Sequence, residues 1–241
     1  MIGYFDFHCH ILPGIDDGAK NMDETYQMLS IAYEEGIRII VATPHYIPGY
    51  KNASPEVLYA LLDEVNQACA DSRNDLLIIL GNELMYSIDI IGALDKGEAL
   101  TIEGTRYILM EFLQDSSFGE IREGLNHCIY AGYIPVLAHA ERYISLVKKP
   151  ELVEALIRLG AYIQINFSSI TGGITDHKIS FCHKLLKNEW VHFLGTDAHG
   201  SKNRAPYIKK AVDILNKKYG EAAVRRLLWD NPMTMLEDKR I

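Results

Sequence analysis

Short apolar runs such as R-I-I-V-A-T (38–43) and D-L-L-I-I-L-G (75–81) alternate along this chain with longer stretches of helical periodicity, and that alternation restricts the fold more than any other feature. A strand that is apolar on both faces must be covered on both faces, as parallel strands packed between helices are. The spacing predicts strands over residues 3–8, 37–43, 76–81, 107–112, 134–139, 162–166 and 191–195. Helices are predicted over 23–35, 55–71, 118–130, 151–159 and 178–187, with Asn21 or Asp23 as the first cap, Ser54-Pro55 starting the second, and Gly36, Gly132 and Gly160 as stops. Two more helices are expected over 205–219 and 221–228, followed by a turn at Asn231-Pro232. Seven βα repeats in 241 residues predict an α/β fold, a TIM-like barrel like the (β/α)8 fold but short of one unit or distorted, forming a single domain over 1–241, with an open doubly wound sheet as the runner-up. Either architecture places its active site at the carboxyl ends of the strands.

Five of the nine histidines fall at those ends: His8 and His10 in D-F-H-C-H, His45 in A-T-P-H, His139 in L-A-H-A-E-R and His199 in G-T-D-A-H. His8 and His10 stand two apart on a strand, so their side chains share a face; Asp197 and His199 repeat the arrangement if strand geometry continues through T-D-A-H. An isolated H-x-H is more often a pair of satisfied core histidines; its repetition at strand after strand reverses that weighting. Glu83 in I-I-L-G-N-E-L and Glu111 in Y-I-L-M-E-F follow apolar runs that predict burial, and a buried carboxylate needs a partner. Asp16 and Asp17 sit in L-P-G-I-D-D-G-A, where a turn or cap would account for either one alone. His127, His177, His183 and His192 lie on predicted helices or at a strand start and receive no site role.

Five imidazoles and four carboxylates are too many for one tetrahedral zinc site and suit two or three ions with shared carboxylates. Closely spaced divalent ions lower the pKa of water and clamp phosphoryl oxygens, and three of them would outweigh the four carboxylates to leave a net positive trap for phosphate. Arg142 in H-A-E-R can add a bidentate phosphate contact, its bland alternative being an exposed ion pair with Glu141; Arg204 in G-S-K-N-R-A-P is a weaker second candidate.

The formal charge of −8 and the lack of any Lys/Arg-rich run argue against nucleic-acid binding. No basic leader or apolar run of membrane-spanning length is evident, so a cytoplasmic protein is expected. Cys9, Cys69, Cys128 and Cys182 form no CxxC pair and read as reduced, buried thiols. Six residues beyond them stand Ile15, Asp75, Ile134 and Asn188, so the C-x5-R motif of cysteine-dependent phosphatases is absent and Cys9 is expected to be dispensable.

Taken in order, D-F-H-C-H, T-P-H, G-N-E-L, M-E-F, A-H-A-E-R and G-T-D-A-H resemble the PHP (polymerase and histidinol phosphatase) superfamily, and within it the bacterial CpsB/CapC/YwqE group of manganese-dependent protein-tyrosine phosphatases. The motifs run from residue 6 to residue 199. The resemblance implies a distorted (β/α)7 PHP barrel holding three divalent metal ions, manganese or alternatively iron or zinc. By its motifs, His8, His10, Glu83 and Asp197 would hold one ion, Glu83 would bridge to a second held with Glu111 and His139, and Asp17, His45 and His199 would hold the third, with Asp16 a rival to Asp17. Arg142 matches the group's phosphate-contacting arginine, and Asp6 would orient a histidine rather than bind metal. The implied substrate is phosphotyrosine on a protein, notably the tyrosine-rich tail of a bacterial tyrosine kinase that controls capsule or exopolysaccharide synthesis. The alternative substrate is histidinol phosphate or another small phosphomonoester. A regulatory metal-binding module without turnover is the third reading, disfavoured because no ligand position is lost. Homo-oligomerisation is left open.

Overall fold

The computed structural model describes residues 3–71, 75–173 and 176–241. Among the described residues there are nine strand segments, seven at the expected positions and two short ones, β3 and β5, beyond them: β1 Tyr4–Cys9, β2 Ile37–Ala42, β3 His45–Tyr46, β4 Leu77–Leu80, β5 Glu83–Met85, β6 Tyr107–Glu111, β7 Ile134–Leu137, β8 Tyr162–Asn166 and β9 Phe193–Gly195. Every pairing is parallel, in the orders β1-β2-β4 and β3-β5-β6-β7-β8-β9. β3 prolongs β2 past Thr43-Pro44, and β5 prolongs β4 past Gly81-Asn82; the bonds Gly81 N–H to Ala42 O (3.0 Å) and Glu83 N–H to Pro44 O (3.1 Å) carry the ladder across both breaks. Proline has no N–H to offer a ladder, which explains the first interruption. The expected strand over 76–81 is β4, and β5, opened by Glu83, is a further segment beyond it.

The sheet closes on itself. Past β9, Asp197 N–H donates to His8 O (2.7 Å) and His10 N–H to Ala198 O (2.9 Å), joining the last strand position to the first. This closure is that of a distorted barrel and excludes the open doubly wound sheet.

Two buried layers follow from the alternation along each strand. Phe5, Phe7, Val41, Ile79, Tyr107, Leu109, Ile134, Val136, Tyr162 and Phe193, drawn from β1, β2, β4, β6, β7, β8 and β9, form one cluster, which fills the barrel. Ile40, Ile78, Ile108, Met110, Leu137 and Ile163 join the second cluster, with the helices outside. Phe7 stacks on Phe193 at 4.0 Å and is fully buried; covering an aromatic of that size stabilises by roughly 1.5–3 kcal/mol. Ascending the inner faces, the apolar positions give way to Glu111, two beyond Leu109, and to Gln164 and Asn166, two and four beyond Tyr162. The barrel is thus greasy at its base and polar at its mouth.

The helices are α1 Met22–Glu34, α2 Pro55–Asp71, α3 Ile90–Asp95, α4 Phe118–Tyr130, α5 Ile144–Lys148, α6 Leu152–Leu159, α7 His177–Lys187, α8 Lys209–Tyr219, α9 Glu221–Arg225 and α10 Asn231–Leu236. Asn21 rather than Asp23 caps α1, accepting from Glu24 N–H at 3.0 Å, and α4 begins with a reciprocal Ser117–Glu120 box. α8 starts at Lys209, four residues later than predicted, because the Glu35 carboxylate accepts from Ile208 N–H (2.8 Å) and Lys209 N–H (2.7 Å) and fixes the helix start there. The turn expected at Asn231-Pro232 is helical: a π-turn over Arg226–Asp230 links α9 to α10, and Pro232 lies in the first turn of α10, where a missing N–H is tolerated. The following tail closes the base of the barrel. Tyr107 Oη donates to Lys239 O (2.6 Å), and Arg106 holds Asp238 through its backbone and its guanidinium.

Candidate metal centre

All nine sequence-singled ligand candidates converge at the carboxyl ends of the strands. β1 carries a bulge: Asp6 pairs with Ile40 but Cys9 with Ala42, so three residue steps face two. Phe7 thereby packs inside the barrel while Cys9 joins the outer layer and His8 and His10 meet at the mouth, Nε2 to Nε2 at 3.1 Å. Gly195 makes room, since a Cβ there would lie 2.5 Å from His8 Cβ. Cys9 is fully buried and its thiol is pushed well up by burial, which fits no nucleophile.

Glu83, 1 % exposed, is the hub. Its Oε2 lies 3.2 Å from His8 Nε2, 3.2 Å from His10 Nε2 and 3.2 Å from His45 Nδ1, while its Oε1 lies 2.7 Å from His139 Nε2. The two oxygens of one carboxylate thus face different imidazoles, the geometry a bridging ligand needs. Asp197 Oδ1 lies 3.5 Å from His8 Nε2 and 3.6 Å from His10 Nε2. Glu111 reaches His139 Nε2 at 3.3 Å. Asp17 Oδ1 lies 3.3 Å from His45 Nε2 and 3.2 Å from His199 Nε2. Ligand atoms sharing an ion at 2.0–2.2 Å are themselves about 3.0–3.6 Å apart, so these spacings suit divalent metal. Among the described residues three overlapping groups keep their ligand atoms within 4.8 Å of one another: His10, Asp17, His45 and His199; His8, His10 and Asp197; and His45, Glu83 and Glu111. His10 and His45 therefore each touch two groups, a sharing the sequence did not suggest.

Two further observations favour metal. Asp197 Oδ1 is buried without a hydrogen-bond donor, although Oδ2 of the same carboxylate accepts from Arg142, from Arg204 (2.7 Å) and from Asn166 Nδ2 (3.0 Å). Four carboxylates and five imidazoles packed together otherwise leave like groups in contact.

Asp16 and Asp17 separate cleanly. Asp16 Oδ2 accepts from His10 Nδ1 at 2.8 Å and from His45 N–H at 3.2 Å, so it sits behind the imidazole and orients it. Burial raises the Asp16 pKa, but the His10 contact outweighs burial and holds it down at about 2. Asp6 departs from expectation: its oxygens accept from Thr196 N–H (2.7 Å) and Thr196 Oγ1 (2.6 Å), with a longer bond from His8 N–H, so it ties the end of β9 to β1 and touches no imidazole. Burial lifts it to about 6. The group behind the His8 imidazole is instead Gln164, whose Oε1 lies 3.4 Å from His8 Nδ1 and accepts from His139 N–H at 2.6 Å. Gln164 Nε2 in turn donates to Asn166 Oδ1 at 2.9 Å, and Asn166 donates to Asp197. Strand geometry does not continue through T-D-A-H; Asp197 has φ +51° and His139 has φ +32°. Both are aimed by left-handed backbone rather than by alternation.

Arg142 pairs with Asp197, not Glu141, whose Oε1 accepts from Asn166 N–H (3.0 Å) and Ser169 Oγ (2.8 Å). The four excluded histidines stay apart from the cluster: His183 bonds Tyr219 Oη, His192 accepts from Ile163 N–H, His127 lies by Tyr86, and His177 is exposed.

Burial opposes charge on His10 and His139, but Asp16 and Glu83 outweigh it at His10, and Glu111 and Glu83 at His139, raising them to about 10 and about 9. Both imidazoles therefore hold protons at pH 7, and a metal ion that uses them must displace those protons. The sign follows: metal affinity rises with pH up to about 9–10, and loading at pH 7 releases protons. Calorimetric titration of metal-stripped protein with Mn²⁺, in buffers of differing ionisation enthalpy, should show net proton release at pH 7; none would contradict the raised protonation of His10 and His139.

Residues 4–237 match the family described as capsular polysaccharide synthesis, CpsB/CapC. The chain is 34% identical to the tyrosine-protein phosphatase CpsB of Streptococcus pneumoniae over 98% of its own length and 99% of the relative's. It is 31% identical to the tyrosine-protein phosphatase YwqE of Bacillus subtilis, covering 98% of this chain and 92% of that one. A crystal structure from work on YwqE and the S. pneumoniae CpsB, described as unique metal-dependent tyrosine phosphatases, superposes with a TM-score of 0.90 at 31% identity, over 98% of this chain and 96% of that chain. The histidinol phosphate phosphatase of Lactococcus lactis shares the fold at 18% identity, TM-score 0.61, over 90% of this chain and 94% of that one.

Proposed function

The chain belongs to the CpsB/CapC family of capsular polysaccharide synthesis proteins, and from that membership we propose that it is a metal-dependent phosphatase of phosphotyrosine on proteins. The observation that carries the reading is the interlocked array of five imidazoles and four carboxylates with two arginines at its open edge. His8, His10, Glu83 and Asp197 would hold one ion, Glu83, Glu111 and His139 a second, and Asp17, His45 and His199 a third, with manganese the expected metal and iron or zinc suited to the same donors. Bound there, divalent ions supply an acidified water and charge neutralisation for phosphate.

The rest is chemistry of the chain itself. Arg142 and Arg204 reach the open side of Asp197 and can take phosphate oxygens once that carboxylate is engaged elsewhere. Gln164, Asn166 and Asp16 fix the rings and the carboxylate so that no reorganisation is needed during reaction. A tyrosine leaving group has a parent pKa of about 10 and departs with less help from a proton donor than an alkoxide requires.

The site is open on one side: Asp17 is 66% and Arg204 44% exposed. An aromatic ester standing out from a protein surface can reach such a mouth, whereas a small ester would be left partly in water. In this reading residues 1–241 act as one cytoplasmic catalytic domain, and the substrate is the tyrosine-rich tail of a bacterial kinase governing capsule or exopolysaccharide synthesis. Among the described residues no helix is long and apolar enough to cross a membrane.

The test is steady-state hydrolysis of a phosphotyrosyl peptide beside histidinol phosphate, on protein stripped of metal and then reconstituted with Mn²⁺. Metal-dependent turnover selective for the peptide is expected. Preference for histidinol phosphate would move the protein to small-molecule chemistry, and turnover of neither would overturn the phosphatase reading.

A further inference from the structure

Beside the metal centre, α5 and α7 enclose a groove of about 550 Å³ that begins at Arg142. Ile144, 49% exposed, and Phe181 give it an apolar lining, and Lys148, Lys178 and Lys184 stand along it. All three lysines are exposed, and among the described residues none takes part in an ion pair. The carboxylate that also lines the groove, Glu141, is 1% exposed and turned inward onto Asn166 and Ser169, so it offsets little of this charge at the surface. In a chain of net charge −8, three unpaired lysines grouped around one groove depart from the average surface.

We propose that this groove is a substrate-docking site that selects phosphotyrosyl segments whose flanking residues are acidic. The proposal rests on the phosphatase reading and adds a specificity determinant to it. Arg142 lies at the junction: its guanidinium meets Asp197 in the metal centre, and the same residue lines the groove. A chain whose phosphate sits by Arg142 therefore places its neighbouring residues along α5 and α7. Ile144 and Phe181 offer contact to the stem of the peptide, and the lysines offer charge to carboxylates on it. Exposed pairs of this kind act more on encounter and discrimination than on tight binding, and they weaken with salt.

The test uses Mn²⁺-reconstituted protein and three substrates: free phosphotyrosine, a phosphotyrosyl peptide flanked by glutamates, and the same peptide flanked by lysines. At low ionic strength the glutamate peptide should exceed the lysine peptide by about tenfold in kcat/KM, chiefly through KM, and the difference should shrink at high salt. In a Lys148→Glu, Lys178→Glu, Lys184→Glu protein the preference should vanish or reverse, with free phosphotyrosine turnover unchanged; the corresponding glutamine variant should lie between. Equal kcat/KM for the two peptides in the unsubstituted protein, or a preference that survives the triple substitution, would overturn the proposal. Failure to hydrolyse any of the three substrates would instead sink the phosphatase reading. The groove would then be decided by fluorescence anisotropy with the same peptides carrying a non-hydrolysable difluorophosphonate, where equal Kd values for the two flanks overturn it.

Discussion

Replacing Glu83 by alanine is expected to abolish phosphotyrosine turnover, by about 10³-fold or more, and to lower the number of bound metal ions. Glu83 is the single carboxylate placed against His8, His10, His45 and His139, and its two oxygens serve different partners. Burial raises its pKa, yet the His8 charge and the hydrogen bonds from His10 and His139 outweigh burial and hold it ionised well below the usual carboxylate range. Losing it therefore removes the carboxylate that reaches all four of these imidazoles at once. The metal contribution to such chemistry is several kcal/mol, and about 4 kcal/mol corresponds to about three decades in rate. The checks are kcat/KM together with metal content by elemental analysis of the purified protein. Full metal content with turnover within tenfold of the unsubstituted enzyme would remove Glu83 from its central role. Glu83→Gln keeps the shape and removes the charge, so it distinguishes a steric hub from an electrostatic one and should lose metal nearly as severely.

Much of this site is legible in the sequence because parallel strands report their own burial. Glu111 stands two beyond Leu109 and four beyond Tyr107, so a reader who knows which face of β6 is inside knows where the glutamate points. His8 and His10 are readable for a related reason, although the bulge that lets His8 join Phe7 on the inner side is not. Gln164 and Asn166 also carry a signal: two amides at alternate positions of Y-I-Q-I-N, in a strand otherwise apolar, must be bonded to something. What alternation cannot give is the aim of His139 and Asp197, since both follow the last residue of their strands and sit at positive φ, where a side chain's direction depends on tertiary closure. The choice between Asp16 and Asp17 was closed to sequence for the same reason. Neighbours in a Gly-rich turn point in opposite directions, and only the folded loop shows that one backs His10 while the other faces His45 and His199.

Arg142→Ala should lower kcat/KM for a phosphotyrosyl peptide by about 10²-fold while leaving metal content unchanged. Asp197 is the carboxylate that Arg142 meets. Burial raises its pKa, but His8 and Arg142 beside it outweigh burial and hold it strongly ionised. Arg142 shares Asp197 Oδ2 with Arg204 and Asn166, whereas Oδ1 faces His8 and His10. One carboxylate thus presents its unpaired oxygen to the metal side and its crowded oxygen to the arginines, and a phosphate entering from the open side competes for those guanidiniums rather than for the ligands. A preorganised charged donor on a developing phosphoryl charge is worth on the order of 10²–10³ in rate. Arg142→Lys should restore little, because an ammonium cannot make the two parallel bonds of a guanidinium. Arg204→Ala should cost less, since Arg204 is 44% exposed and its contacts are screened by water. A different outcome has a definite meaning: kcat/KM unchanged in Arg142→Ala, with a lower melting temperature of the metal-stripped protein alone, would make Arg142 a counter-ion for Asp197 and hand the phosphate to the metal ions and Arg204.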